Sequence, residues 1–324
     1  MKALQIEMFG KPAEVVKLVD VPDVGAPAAN EVVIALEASP INPSDLLLIS
    51  GRYGHKPHLP SIVGAEGVGR VIAVGADVRH LKEGDRTIIP FPNPTWVERI
   101  KTDAAWLRPL PKGDLHQLAM LGVNPATAYM MLTSFTTLPR GAWVIQNGAN
   151  SGTGRALIPI AKSLGLKSVN VVRRPELVDD IKTIGGDIVL VDGPDLSKRV
   201  AEETGNAPIA LAIDMVADTS TMNLMNCLAD DGKLVSYSAM SGKPFVGPSP
   251  HLIFRNISLH GFWLVRAFKT AAPDYLTTMY GHLAPLVASG AIKAPVSATY
   301  RFEDASQAIA QAAKFDGKVL FDLT

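Results

Sequence analysis

The chain has 324 residues, enough for two domains, and 47% of them are hydrophobic, so each domain can bury a core of its own. Its 31 basic and 31 acidic residues cancel, which excludes the one-sided field expected of a protein that binds nucleic acid or another polyanion. Cys227 is the only cysteine, so no intrachain disulfide forms and a structural zinc lobe built on cysteines is excluded.

The N-terminal run "MKALQIEMF" reads as a strand and not as a charged-then-apolar leader. No later apolar run is long enough to span a bilayer. These features lead to the expectation of a protein of the reducing cytoplasm. Residues 1 to about 112 then read as short strands parted by Pro/Gly turns: "EVVIALEAS", the glycine-spaced pair "SIVGAEGVGRVIAVGADV", "EGDRTIIPF" and "WVERIKTD". Together they predict a compact antiparallel barrel that exits through "LRPLPKGD".

The pattern changes at "DLHQLAMLGVNPATAYMML", which is helical in its apolar spacing apart from Pro125. From "AWVIQ" onward, short β-rich runs alternate with helical segments: "SVNVV", "DIVLV", "IALAIDM", "GKLVSYS" and "ISLHGFW". Six strands joined in this way predict right-handed crossovers and a doubly wound parallel sheet, hence an α/β protein. After about residue 265 come a helix in "PDYLTTMYGHLAPLVASG", the run "VSATYRF", the helical "EDASQAIAQAAK" and a last strand in "GKVLFDL". The organisation read from this order is a first domain over 1–120, completed by 265–324, with a nucleotide domain over 121–264 inserted in it.

The turn "QNGANSGTGR" joins the first strand of the inserted domain to an amphipathic helix. Gly148, Gly152 and Gly154 allow backbone amides and the helix N-terminus to face a pyrophosphate. Asn150, Ser151 and Thr153 lie in the same turn, where Asn150 and Ser151 can donate hydrogen bonds or cap the helix. An NAD site usually shows an acidic residue at the end of the next strand. Here that strand ends in Arg173-Arg174-Pro175. Two guanidiniums suit a 2′-phosphate, which predicts NADPH as the cofactor.

Five segments narrow this further: "INPSD" (41–45), "GVNPATAY" (122–129), "VIQNGANSGTG" (144–154), "NVVRRPE" (170–176) and "LIFRNISLHGFWL" (252–264). They resemble the medium-chain dehydrogenase/reductase superfamily, and within it the mitochondrial-type 2-enoyl thioester reductases. The resemblance spans nearly the whole chain. It implies a GroES-like β-barrel catalytic domain plus a doubly wound Rossmann domain, with Ser151 normal for the subgroup. Zinc-dependent members of the superfamily carry a cysteine and a histidine where Pro43 and Ala65 stand here, so the resemblance implies a zinc-independent enzyme with no metal site.

By the same resemblance, Tyr53 is the proton donor when an α,β-unsaturated thioester is reduced. Asn42, Asn124 and Thr127 orient nicotinamide or substrate. Tyr237, Ser238, Ala239 and Met240 pass beside the nicotinamide half, although Ser238-Ala239 replaces a glycine pair. Phe262, Trp263 and Leu264 wall the pocket, Lys318 meets a cofactor phosphate, and Glu66 holds backbone amides. Quinone reductases of the superfamily also carry a tyrosine near the Tyr53 position. An NADPH:quinone or small-enone reductase therefore stays open, as does a non-catalytic NADPH-binding sensor. Pairing across the edge strand in "ISLHGFW" predicts a homodimer.

Overall fold

The computed structural model describes residues 1–324. The chain divides into two compact units, Met1–Val123 with Phe268–Thr324, and Asn124–Ala267. The divides fall after residues 123 and 267, against the expected 120 and 264.

The first unit opens with β1 (Lys2–Ile6), β2 (Val16–Asp20), β3 (Glu31–Pro40), β4 (Ser61–Ile62), β5 (Val68–Val74), β6 (Arg86–Ile88) and β7 (Arg99–Asp103). β3 is the long strand around which the others gather. It pairs antiparallel with β5 and with β7, while β1 pairs with β2 and β4 in a second, smaller sheet. Rings fill the centre: Trp96 and Phe302 each meet Phe321 edge-on, at 5.1 and 5.3 Å between centroids. All three are fully buried, and burying a large apolar side chain contributes about 1.5–3 kcal/mol. Gly64 makes the packing over Trp96 possible, because a Cβ there would lie 2.4 Å from Trp96 Cδ1, and its φ is +97°.

The second unit holds β8 (Trp143–Gln146), β9 (Lys167–Val172), β10 (Ile188–Val191), β11 (Ile209–Asp214), β12 (Lys233–Ser236) and β13 (Ser258–Gly261). All pair in parallel, in the order β10-β9-β8-β11-β12-β13. This is the doubly wound 3-2-1-4-5-6 order, whose switch point lies between its first and fourth strands. Both faces are covered, as near-continuous apolar strands require. Along β9 the period-2 alternation sends Val171 into one core layer and Val172 into the other.

The chain then returns to the first unit with β14 (Val296–Tyr300) and β15 (Lys318–Asp322). β15 lies antiparallel against the end of β3, matching Leu320 to Pro40 and Phe321 to Ser39. The C-terminal strand therefore completes the barrel sheet. One departure from an all-antiparallel barrel is that β14 runs parallel to β15.

The expected continuous helix through residues 114–132 is broken in two, Leu115–Ala119 and Asn124–Ser134. Pro125 sits in the first turn of the second piece, where its missing N–H costs nothing. The break between them is held from outside the helix. Glu66 Oε2 accepts from Val123 N at 2.7 Å, and the Tyr280 hydroxyl donates to Gly122 O at 2.9 Å. A short helix at Pro43–Ile49, unmarked by any strong periodicity, follows β3 directly.

Candidate active site

In the nucleotide unit, β8 leads through Asn147–Ser151 into the helix Gly152–Ser163. Ser151 is its N-cap, with φ −71° and ψ 165°, and its Oγ accepts from Gly154 N at 3.0 Å. A Cβ on Gly154 would stand 2.6 Å from Gly148 O and 2.8 Å from Ala149 Cα. The turn is therefore closed on backbone, and only glycine fits. Around it, hydroxyls and amides interlock. Thr153 Oγ1 donates to Asn124 Oδ1 at 3.0 Å, and the Tyr237 hydroxyl is hydrogen-bonded to Ser151 and Thr153. Burial pushes the Tyr237 phenol up to about 12, so it stays protonated and neutral at physiological pH.

Asn124, expected to orient nicotinamide, braces the turn at the head of its helix, and Thr127 is buried in the same helix. Asn150 is exposed at the tip of the turn. Arg173 and Arg174 are both exposed directly beyond β9, with Arg174 Nε 3.3 Å from Glu176. At the end of the neighbouring strand, Asp192 is engaged by Ser220 and Asn223. The residues that would hold an NADP(H) are thus a tight turn with a capped helix N-terminus and an exposed cationic pair where the ribose acid of an NAD site would stand. They fit the group.

Tyr237 N donates to Asp214 O and Met240 N to Met215 O, so 237–240, with Ser238 and Ala239 between them, is tied to the end of β11. Phe262 N donates to Ser236 O, and its ring meets Phe135 edge-on at 6.2 Å. Trp263 is half-buried, and Leu264 starts the helix Leu264–Thr270.

In the barrel unit, Asn42 ends the approach from β3 and caps the helix Pro43–Ile49. Its backbone N donates to Asp45 Oδ2 at 2.7 Å. Its side chain is held at both ends: Nδ2 donates to Glu66 Oε1 at 2.7 Å, and Oδ1 accepts from Lys318 Nζ at 2.6 Å. Glu66 also accepts from the Val123 and Gly122 amides, and Ser39 Oγ donates to its carbonyl at 2.6 Å. Asn42, Asp45 and Glu66 are buried. Burial raises Glu66, takes Asp45 up to about 7, and lowers Lys318.

Lys318, expected to meet a cofactor phosphate, therefore spends an N–H on the amide of Asn42. Asp45 and Tyr280 were not singled out by the sequence. Tyr280 acts on Gly122 from far along the chain, where no local pattern marks it, whereas Asp45 stands three residues after Asn42 in a capping-box spacing that could have flagged it. Tyr53 is half-buried in the loop beyond the helix, its ring edge-on to His55 at 5.7 Å. No group of three or more His, Cys, Asp or Glu side chains is gathered to hold a metal ion, and no helix is long and apolar enough to cross a membrane.

A barrel closed by the C-terminal strand, with a nucleotide sheet inserted in it, defines a two-domain pyridine-nucleotide oxidoreductase. Residues 28–129 match the family model of the alcohol dehydrogenase GroES-like domain, and 152–279 that of the zinc-binding dehydrogenase. The mitochondrial enoyl-[acyl-carrier-protein] reductase of Rattus norvegicus is 38% identical over 318 residues, covering 95% of this chain and 84% of that protein. A Bacillus thuringiensis structure assigned as an NADPH:quinone reductase superposes with a TM-score of 0.89 at 27% identity, over 100% of this chain and 99% of its own. The complex of Etr1p with NADP and crotonyl-CoA gives 0.85 at 27% identity over 99% of both chains; the enoyl thioester reductase Etr1p is from Candida tropicalis. The chain belongs to the medium-chain dehydrogenase/reductase superfamily, on the branch of the mitochondrial-type enoyl thioester reductases.

The comparisons overturn the expectation of a cytoplasmic protein. The rat relative, like those of Homo sapiens and Caenorhabditis elegans, is a mitochondrial enzyme by name. That expectation leaned on the first residues of the sequence, and where a sequence begins carries no such information.

Proposed function

We propose that the protein reduces the C2=C3 double bond of an α,β-unsaturated acyl thioester with NADPH. The observation that carries this is the 38% identity to an enoyl-[acyl-carrier-protein] reductase along almost the whole chain. The solved relative that holds NADP and crotonyl-CoA adds support. When bound, NADPH supplies the hydride that goes to Cβ. The turn from Asn150 to Gly154 and the N-terminus of its helix hold the pyrophosphate, and Arg173 and Arg174 hold the 2′-phosphate. Asn124, Thr127, the 237–240 segment and Phe262–Leu264 shape the nicotinamide side.

Negative charge then develops on the thioester, and a proton must reach Cα. Tyr53 donates it, as the hydroxyl of a positioned tyrosine can serve as a general acid. Asn42 supplies a fixed amide to orient the reacting groups. Two copies pair across β13, the edge strand of the nucleotide sheet. This is supported by the exposed Leu252, Ile253 and Phe254 that precede the strand.

Quinone reduction is the second reading, favoured by the Bacillus structure. Tyr53→Phe separates the two. Loss of a general acid costs roughly 10²–10⁴-fold, so kcat for crotonyl-CoA should fall by about that factor. NADPH affinity should hold, and any quinone turnover, which needs no proton on carbon, should change little. Near-normal enoyl turnover in the variant would refute the assignment of Tyr53.

A further inference from the structure

We infer that Lys318 is a positioning residue, which together with Glu66 fixes the Asn42 amide in a single orientation for the reacting groups. The inference rests on the assignment of Asn42 to the reaction and deepens it.

The chemistry of the three side chains sets the geometry. An ammonium only donates and an ionised carboxylate only accepts, whereas an amide does both at opposite ends. Lys318 Nζ, 2.6 Å from Oδ1, and Glu66 Oε1, 2.7 Å from Nδ2, allow one flip of the Asn42 amide and forbid the other. Once these bonds are made, the Asn42 amide is fixed in one orientation and keeps one N–H to offer in a set direction. A side chain held in this way costs little reorganisation when charge develops on a substrate.

Each anchor is itself fixed. Glu66 is tied to the Val123 amide by its other oxygen and to Ser39 by its carbonyl. Ser39 is in turn 2.9 Å from Thr95 Oγ1. Lys318 begins β15, and the Ile41 amide donates to Val319 O at 2.9 Å. The residues next to Asn42 and Lys318 are thus joined backbone to backbone. This gives the C-terminal strand a task beyond closing the sheet, because it delivers the ammonium to the amide.

Stability alone does not account for such a cluster. Buried ion pairs are often no better than apolar residues of the same volume, yet removing one partner is costly. Asp45, raised by burial to about 7, adds a second carboxylate close to the same ammonium. The fold accepts a buried acidic pair around one lysine, which is understandable if the lysine must be there. A lysine that served only a cofactor phosphate would have no need of Asn42.

The test uses Lys318→Met, Lys318→Gln, Asn42→Ala and the Lys318→Met/Asn42→Ala double variant of the full-length protein, with NADPH, NADH and crotonyl-CoA. A hydrogen bond from a charged donor supports an expected loss of about tenfold to a hundredfold in kcat for Lys318→Met. KM for NADPH and the preference for NADPH over NADH should stay unchanged. Lys318→Gln keeps an N–H donor without the charge and should recover part of the rate. In the Asn42→Ala background, Lys318→Met should cost less than about a further twofold, since the amide it holds is gone. A raised KM confined to NADPH, equal in the Met and Gln variants, would overturn the inference in favour of a phosphate ligand. Losses that multiply in the double variant would overturn it too. Wild-type turnover in Asn42→Ala would instead remove the role of Asn42, and the inference with it. Circular dichroism of each variant checks folding, and Lys318→Gln carries the test should Lys318→Met fail to fold.

Discussion

The two units solve the problem of a polar site in opposite ways. In the nucleotide unit the side chains that cap and brace the turn are neutral, and the one buried carboxylate beside it, Asp214, is taken up by Asn147, Thr221 and the amides of Val216 and Ala217. Ser151, Thr153, Tyr237 and Asn124 bond to one another, and the exposed Arg173 and Arg174 carry the charge. In the barrel unit the charges are inside: Glu66, Asp45 and Lys318 close round one amide. A neutral, glycine-closed turn leaves helix N–H groups free for an anion brought by a ligand. A charged, interlocked cluster binds its own ions and aims a side chain. The first arrangement suits holding a cofactor, the second suits fixing geometry.

The same contrast decides what was legible in the sequence. The turn itself lies within about ten residues, between a strand and a helix whose periodicities are plain, so the doubly wound sheet and the glycine turn could be read directly, whereas two of its braces, Asn124 and Tyr237, come from outside that stretch. The barrel cluster joins Asn42 to Glu66 and to Lys318, 24 and 276 positions apart. Nothing local in "GAEG" or "DGKVLF" shows that they meet. Pairing β5 against β3 brings Glu66 to Asn42, and pairing β15 against the end of β3 brings Lys318 there, so the cluster depends on contacts between distant segments that no local pattern marks. The helix expected through 114–132 failed for a related reason, because its break is stabilised by Glu66 and Tyr280 from other parts of the chain.

If the turn works through backbone closeness, the largest effect on cofactor binding comes from one methyl group. Gly154→Ala places a Cβ against Gly148 O and Ala149 Cα, and the turn must open by a fraction of an ångström or more. Losing a hydrogen bond to a charged phosphate costs roughly 1.5–3 kcal/mol, so NADPH affinity, measured by fluorescence titration, should fall by about tenfold to a hundredfold. Unchanged affinity would mean that the turn does not cradle the pyrophosphate.

The surface charges should matter next. Replacing Arg173 and Arg174 together by Ala removes charge-assisted hydrogen bonds worth roughly 1.5–3 kcal/mol each. KM for NADPH should rise by at least about tenfold while NADH is almost untouched. Equal losses for both cofactors would show that the arginines merely finish the strand.

The smallest effect belongs to the buried charge. Asp45 titrates near 7 in the folded protein, against an ordinary value of 3.8, so between these values the folded state binds more protons than the unfolded one. Its contribution to stability is therefore intact at acid pH and lost as pH rises from about 4 through 7. Burial drives the rise in its pKa; the Asn42 amide opposes it, Glu66 adds to it and Lys318 opposes it. Asp45→Asn keeps an acceptor for the Asn42 amide and should flatten this dependence, so that denaturation midpoints at pH 5 and pH 8 differ less than in the wild type. An unchanged slope would place the titration elsewhere.

The central claim is enoyl thioester reduction, and the most direct measurement is steady-state oxidation of NADPH by the purified protein with crotonyl-CoA and, separately, with a quinone. Saturable turnover of crotonyl-CoA is expected, with butyryl-CoA formed mole for mole with the NADPH consumed, and a lower kcat/KM for the quinone. Efficient quinone turnover with no butyryl-CoA formed would contradict it.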